Sequence, residues 1–147
     1  MIVKVTEDNL LDAARIHSIS WQESHRSFCT EEFIELHDIN HQKEYIEEKI
    51  KYGSVFAMLI KEEPVAVVSI TDSLIEDLYV LPAHQNKGYG TELLDYAITQ
   101  CKATPTLWIL ENNKGAERLY LRYGFKPTGN INSIADKLSE IEFSYTK

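Results

Sequence analysis

The chain has 147 residues, of which 44% are hydrophobic and 26% are charged, with six glycines and four prolines. These proportions are typical of a globular domain and exclude collagen-like, low-complexity and wholly disordered chains. The net charge of −8 disfavours nucleic acid as a partner, and no apolar stretch approaches the ~20 residues of a membrane span. Because the N-terminus is polar and acidic, unlike a secretory signal, we expect a cytoplasmic protein. The length predicts one domain over residues 1–147.

The first half of the chain predicts a strand, a helical region and a hairpin. Thr6 or Asp8 can cap the first helix, and Thr30 with two acids after it can begin the second helical stretch. The hairpin strands are apolar on both faces, so helices must cover both sides of the sheet. The predicted elements are a strand at Ile2–Val5, a helix at Leu10–His25, a helical stretch from Thr30 to Gly53, and strands at Ser54–Lys61 and Val65–Thr71.

The second half predicts two successive strand-to-helix units and a last strand. The predicted elements are a strand at Leu74–Leu81, a helix at Gly88–Lys102, a strand at Thr106–Leu110, a helix at Ala116–Tyr123 and a strand at Glu140–Tyr145. Hairpins followed by strand-to-helix units predict an α/β fold with mixed strand pairing.

A glycine-containing turn lies between the third predicted strand and the helix after it, at Gln85–Thr91. Its glycines let backbone N–H groups approach a ligand, and the helix N-terminus favours an anion such as pyrophosphate. Two glycines alone are more often a simple connecting turn. The spacing also fails for two common nucleotide-binding motifs, since Leu93 stands where a Rossmann turn needs its third glycine and no Walker sequence is present.

Two spaced motifs nevertheless resemble one family. The run Gln85-Asn86-Lys87-Gly88-Tyr89-Gly90 matches the Gln/Arg-x-x-Gly-x-Gly/Ala signature of the GCN5-related N-acetyltransferases. Asn113, Ala116, Tyr120 and Gly124-Phe125 match that family's second signature in the right order. The resemblance covers about residues 54–145 and implies one domain with a mixed, mostly antiparallel central sheet covered by helices on both faces.

The resemblance implies acetyl-CoA as co-substrate. Backbone N–H groups of the turn would hold its pyrophosphate, and its pantetheine arm would lie along the edge of the strand at Leu78–Val80. A backbone N–H near Val80 would then stabilise the oxyanion of the tetrahedral intermediate. Asn86 stands where many members carry glycine, but asparagine tolerates left-handed backbone. The residues that the resemblance places at the cofactor are Leu78, Tyr79, Val80, Gln85, Asn86, Lys87, Gly88, Tyr89, Gly90, Thr91, Asn113, Ala116 and Tyr120.

The resemblance implies one catalytic residue, Tyr120, and the position of Glu76 on its strand makes it a candidate for a second. Tyr120 lies seven residues after Asn113, about two helical turns, and a protonated phenol can protonate the departing thiolate. Spacing alone favours a core aromatic for Tyr120, and the family match favours the acid. Glu76 is the candidate base, because period-two alternation puts it on the strand face of Leu78 and Val80 and turns Asp77 away. A solvated carboxylate without a catalytic role is an equally good interpretation of Glu76, and a chain of water molecules would then carry the proton away.

The predicted function is therefore acetyl-CoA-dependent transfer of an acetyl group to a primary amine of a small molecule or peptide. The alternative is a non-catalytic, CoA-binding regulatory domain of the same fold. The first third of the chain and a loop at Asn130–Ala135 are expected to flank the acetyl end and to select the acceptor. Trp21, His25 and Arg26 are the candidate wall residues. Their pattern favours a core position for Trp21, and solvated helix-end positions are the alternative for His25 and Arg26.

Two further expectations concern metals and assembly. His37 and His41 are four residues apart, but no acid or cysteine pattern supports them, so no metal site is expected. An exposed final strand at Glu140–Tyr145 would be able to pair across a homodimer.

Overall fold

Seven strands form one sheet in the computed structural model, which describes residues 1–27, 29–135 and 138–146. The strands are β1 (Ile2–Lys4), β2 (Val55–Ile60), β3 (Pro64–Thr71), β4 (Leu74–Val80), β5 (Thr106–Leu110), β6 (Phe125–Ala135) and β7 (Leu138–Tyr145). The sheet order is β1-β2-β3-β4-β5-β7-β6, and β4 and β5 are parallel whereas the other neighbouring pairs are antiparallel. This confirms the mixed, mostly antiparallel sheet.

Helices cover both faces of the sheet, also as predicted. They are α1 (Leu10–His25), α2 (Glu31–Glu35), α3 (Ile39–Lys51), α4 (Tyr89–Gln100) and α5 (Lys114–Tyr123), with one 3₁₀ turn at Pro82–His84. None of the helices within the described ranges combines the length and the apolar composition needed to cross a membrane.

The sheet separates two hydrophobic cores. In the α4–α5 core, Leu93, Leu94 and Tyr120 pack with strand residues that include Val68 and Phe143. The core on the other face, the α1–α3 core, is filled by residues that include Leu10, Ala14, Ile46, Phe56 and Met58. Burial on both faces is the reason why the central strands read as continuous apolar runs.

The helix caps in the first third differ in part from the prediction. The residue before α1 is Asn9, and its Oδ1 accepts a hydrogen bond from the Thr6 N–H at 2.8 Å, so neither Thr6 nor Asp8 caps the helix. Thr30 does cap α2, as predicted. The predicted second helical stretch is two helices, because the Asp38 side chain accepts from the His41 N–H at 2.8 Å and begins α3.

The C-terminal hairpin corrects two expectations. Asn130–Ala135 was expected to be a loop, but it belongs to β6, which pairs with β7 through partners such as Ile131 and Ile141. Glu140–Tyr145 was expected to be an exposed strand that pairs across a dimer, but β7 lies between β5 and β6. Both of its edges are therefore occupied. In β6 only Phe125 is buried, so the strand carries no apolar alternation for a sequence pattern to detect.

Replacing Ile46 with alanine should lower the free energy of unfolding by about 2–5 kcal/mol, because the side chain is fully buried in the α1–α3 core. Ile39→Ala in the same helix is the control; that side chain is 40% exposed, and we expect a change of about 0.5 kcal/mol or less. Urea unfolding of both variants measures the difference, and equal losses would contradict the role of Ile46 as the anchor of α3.

Candidate active site

An opening lies between β4 and β5, which pair only at Leu74 and Thr106. The Leu81 N–H donates to the Val65 carbonyl at 2.9 Å, so the adjacent pair, Ala66 and Val80, is of the non-hydrogen-bonded type. The N–H and C=O of Val80 therefore point away from β3, towards the opening. An extended ligand can meet strand backbone there.

The turn at the end of β4 is shaped by two residues in left-handed conformation. Asn86 has φ of 64° and Gly88 has φ of 84°, and only a few residue types adopt these angles without strain. The Gln85 side-chain amide donates to the Val80 carbonyl at 3.2 Å, which ties the turn to the end of β4. Lys87 is exposed on the turn and can add positive charge.

The turn leads directly into the N-terminus of α4. The first hydrogen bond within this helix runs from the Glu92 N–H to the Gly88 carbonyl at 3.0 Å, so the N–H groups before Glu92 have no helical acceptor. Gly88 is the N-cap, and no side chain in the described part of the chain caps the helix. Free N–H groups and the positive end of the helix dipole suit a phosphate.

Helix α5 places Tyr120 in the α4–α5 core. Its ring is 7% exposed and makes an edge contact with Phe125, with ring centroids 5.7 Å apart. Burial, and the negative charge of Asp77, raise the pKa of Tyr120 above its ordinary value. Asn113 lies before the helix and caps it, because its Oδ1 accepts from the Ala116 N–H at 3.1 Å.

A β-bulge interrupts β4. Pairing with β3 passes from Ser69 opposite Glu76 to Val67 opposite Tyr79, so two residues of β4 face one residue of β3. The first of the two is Asp77, with a left-handed φ of 54°. The bulge breaks period-two alternation in the middle of the strand.

The bulge overturns the expected strand faces. Glu76 and Asp77 both bind Lys49 Nζ of α3, at 2.7 and 3.3 Å, so the two carboxylates lie on the same face of the sheet. Leu78 and Val80 pack against the opposite, α4–α5 core. The prediction that Glu76 shares their face, and that Asp77 alone turns away, is wrong because the strand is not regular.

The Asp77 carboxylate joins four side chains from three elements. Its Oδ1 lies 3.1 Å from His17 Nε2 of α1, and the Tyr45 hydroxyl of α3 donates to both carboxylate oxygens at 3.0 and 3.1 Å. The Ser69 hydroxyl of β3 donates to Oδ2 at 2.9 Å, and Lys49 completes the set. A buried carboxylate with this many donors is fully satisfied.

The charges of this network shift the pKa values of its members. Burial alone would raise the pKa of Asp77, but the hydrogen bond and, in acid, the charge of His17, with Lys49 and Ser69, hold it at about 2. Burial would lower the pKa of Lys49, but Asp77 and Glu76 outweigh burial and raise it. The pKa of Tyr45 is raised by burial and by Asp77, so the phenol stays protonated.

A cavity of about 140 Å³ lies beside Asp77. Its walls come from α1, from α3 and the segment before it, and from β4. The side chains that line it include His17, Trp21, Gln42, Tyr45, Asp77 and Tyr79. The wall is therefore mostly aromatic, with a few polar groups, as is common for sites that bind small molecules.

The three predicted acceptor residues lie at different distances from this cavity. Trp21 is in its wall and is stacked between His25, at a centroid distance of 4.0 Å, and His37, at 3.5 Å. His25 is buried behind Trp21, and burial lowers its pKa. Arg26 is half exposed and pairs with Glu31 at 3.6 Å, outside the wall.

Several of the predicted cofactor residues lie close together. Residues that pack in or against the α4–α5 core include Leu78, Val80, Tyr89, Ala116 and Tyr120. Gly90 lies among them, since a Cβ there would be 3.6 Å from Leu119 and 3.7 Å from Val80. Tyr79, by contrast, lies on the other face of the sheet. It packs against the α1–α3 core, with its ring centroid 4.8 Å from that of His17.

Three residues that line the cavity, His17, Gln42 and Tyr45, are not among the predicted site residues. The signal for His17 was present, because this polar residue falls on the otherwise apolar buried stripe of α1 with Leu10 and Ala14. Nothing in the pattern around Gln42 and Tyr45 distinguishes them from ordinary helix residues.

The chain matches one protein family over most of its length. The model of the acetyltransferase (GNAT) family matches residues 13–125. The chain belongs to this family. A search of curated proteins found no match.

Solved GNAT structures share the fold of this chain. PaiA N-acetyltransferase from Thermoplasma acidophilum, in complex with coenzyme A, is 18% identical, covers 99% of this chain and 98% of its own, and has a TM-score of 0.74. A GCN5-related N-acetyltransferase from Rhodopseudomonas palustris is 16% identical, and the match covers 100% of this chain and 95% of the other, with a TM-score of 0.74. A GNAT acetyltransferase from Bacillus cereus is 17% identical, and the match covers 100% of this chain and 96% of the other, with a TM-score of 0.69. At these identities the likeness shows the fold alone.

The Asp77 network predicts a pH-dependent contribution to stability. Because folding lowers the pKa of Asp77 from 3.8 to about 2, its stabilisation is present above pH 4 and is lost as the pH falls towards 2. This lowering of the pKa corresponds to about 2 kcal/mol in the free energy of unfolding. Asp77→Asn should therefore be less stable than the unaltered protein by about 2 kcal/mol at pH 6, and the two should converge between pH 4 and 2.

Urea unfolding across this pH range measures the effect. Asp72→Asn is the control, because Asp72 is exposed at a turn and asparagine tolerates its left-handed φ of 56°. If the difference in free energy of unfolding between Asp77→Asn and the unaltered protein stays constant down to pH 2, the pKa assigned to Asp77 is wrong.

Proposed function

We propose that this GNAT protein transfers the acetyl group of acetyl-CoA to a primary amine of a small molecule or peptide. The observation that carries the proposal is the position of the Gln85–Thr91 turn. The turn leads into the N-terminus of α4, which has no side-chain cap, beside the part of β4 that does not pair with β5. The family model matches the chain over residues 13–125. The coenzyme A in the related PaiA structure supports the choice of co-substrate.

The residues present fit coenzyme A. A pyrophosphate needs several N–H donors and positive charge, and the turn offers the free N–H groups of α4 with Lys87 beside them. A pantetheine arm carries amides, and the N–H of Val80 faces the opening where such an arm would lie. The same N–H can stabilise an oxyanion at the acetyl carbonyl, as predicted from the resemblance.

The acceptor amine would approach from the α1–α3 side, where the cavity lies. A neutral amine attacks the carbonyl carbon, the C–N bond forms, and the C–S bond breaks with its electron pair going to sulfur. The thiolate takes one proton, and the nitrogen loses one to become an amide. Starting from an ammonium ion, the products are an acetamide, the free thiol of CoA and one proton.

Tyr120 is proposed as the acid that protonates the thiolate. Its raised pKa keeps the proton on the phenol, but it also makes transfer to an ordinary thiolate less favourable. Burial raises the pKa of a thiol too, so a sulfur in the same apolar core becomes a stronger proton acceptor. A leaving sulfur bound beside Tyr120 would be buried in the same core, and the proton transfer would then be more favourable than to a thiolate in water.

Glu76, proposed from the sequence as the base, is placed less favourably. It is 39% exposed and holds Lys49 Nζ at 2.7 Å. A proton taken up by Glu76 would remove the negative charge from this ion pair. This cost counts against Glu76 as the group that accepts the proton of the amine.

Calorimetric titration with CoA, together with a thiol-release assay on a panel of amines, tests the function. We expect binding, and thiol release with one class of amine. Binding without release on any amine would support the alternative of a regulatory CoA-binding domain, and no binding would contradict the proposal.

Gly88→Ala should weaken the Kd for CoA by about tenfold or more, because its left-handed φ strains any side chain. Gly90→Ala is the matched control, since its added methyl makes only ordinary contacts, and we expect less than a threefold change.

Tyr120→Phe should reduce kcat by roughly 100-fold while the Kd for CoA changes less than threefold, because only the transferable proton is removed. Tyr123→Phe, on the same helix, is the control; it loses a hydroxyl that donates to Asp95, and its kcat should stay within about twofold. Steady-state kinetics and titration calorimetry measure both effects. An unchanged kcat in Tyr120→Phe would exclude Tyr120 as the acid.

A further inference from the structure

His17 is held in one orientation by its neighbours. Its side chain is 3% exposed, its Nε2 lies 3.1 Å from Asp77 Oδ1, and its ring contacts those of Tyr45 and Tyr79 at centroid distances of 5.4 and 4.8 Å. A histidine fixed by a carboxylate on one nitrogen presents the other nitrogen in a defined state.

The carboxylate decides which nitrogen carries the proton. Asp77 is ionised at neutral pH and accepts hydrogen bonds only, so His17 Nε2 must be the N–H that donates to it. In the neutral imidazole this leaves Nδ1 with a lone pair. Within the described residues, His17 Nδ1 has no hydrogen-bond partner.

A second buried polar atom beside the same cavity is also unpaired. Gln42 is 2% exposed and lines the cavity with His17, and its Nε2 has no partner in the described ranges. Buried polar groups almost always have partners, so two exceptions at one cavity indicate that a polar ligand completes them. At about 140 Å³, the cavity holds a group about the size of a benzene ring.

We propose that His17, positioned by Asp77, is the base that takes the proton of the acceptor amine, and that the amine binds in this cavity. The proposal rests on the proposed acetyl transfer. The ammonium N–H bond breaks, its electron pair stays on nitrogen, and the proton passes to Nδ1 to give an imidazolium that later returns it to solvent. Both unpaired atoms are covered in the free protein, so the amine reaches Nδ1 only when the side chains around His17 part. Catalytic contacts commonly tighten only in the substrate complex.

Because the proposal predicts a pH profile, the other groups around His17 must be considered. They are Asp77, Glu76 and Tyr79 on β4, Tyr45, Lys49 and His41 on α3, His37 before α3, and His25 on α1. Asp77 stays ionised down to acid pH, and the raised pKa values of Lys49, Tyr45 and Tyr79 keep all three protonated near neutrality. Glu76 and the three other histidines are the competitors, and variants can separate them from His17.

His17→Gln is the decisive variant, because a glutamine amide can still donate to Asp77 but takes up no proton near neutral pH. With the amine that the unaltered protein acetylates, we expect kcat at pH 7 to fall about 100-fold or more and the acidic limb of the kcat/KM profile to disappear. The Kd for CoA should change less than threefold, since the turn lies on the other side of the sheet. His41→Gln should keep the acidic limb, whatever its effect on KM.

Loss of the acidic limb in Glu76→Gln, with its retention in His17→Gln, would overturn the proposal in favour of Glu76. Turnover by the unaltered protein tests acetyl transfer separately from the role of His17. A measurement on the unaltered protein does not depend on how a variant folds. Nitrogen-15 NMR of the free protein near neutral pH should show His17 with its proton on Nε2 and a bare Nδ1, and the opposite tautomer would also overturn the proposal.

Discussion

The Asp77 carboxylate is the interaction on which the candidate site depends. An ionised carboxylate buried without partners costs several kcal/mol, so its place in the interior requires donors from every element around it. Here α1 supplies His17, α3 supplies Tyr45 and Lys49, and β3 supplies Ser69. Because the carboxylate binds side chains of both helices, it also holds α1 and α3 at fixed positions on β4. The cavity between the two helices exists at that junction.

The bulge at Asp77 gives β4 two chemically different faces. Without it, Glu76, Leu78 and Val80 would share one face, and the carboxylates would alternate. With it, both carboxylates lie towards α1 and α3, whereas Leu78 and Val80 lie towards α4 and α5. The Gln85–Thr91 turn and the cavity beside Asp77 therefore lie on opposite sides of the sheet. Ligands bound at the two places would come into contact at the open edge of β4. That separation supports a reaction in which two substrates approach from opposite directions.

The sequence predicts local features well and long-range features poorly. The bounds of α1 and β5 agree with the prediction, since each depends on nearby apolar spacing. The turn is identified because its residues lie within seven positions. β6 is missed because only Phe125 of its residues is buried, and Pro127 and Gly129 suggest a loop. The bulge is missed because nothing local requires Asp77 to adopt a left-handed φ.

The same limit explains which catalytic residues the sequence suggests. Tyr120 belongs to a short spaced motif, whereas His17 is 60 residues from Asp77 and Tyr45 is 32 residues from it. One buried charge nevertheless links the predicted and the unpredicted groups. It raises the pKa of Tyr120, in addition to burial, and so keeps the proposed acid protonated. It also holds the Nε2 proton of His17 and leaves Nδ1 free, so a single carboxylate supports the protonation states that both proposed roles require.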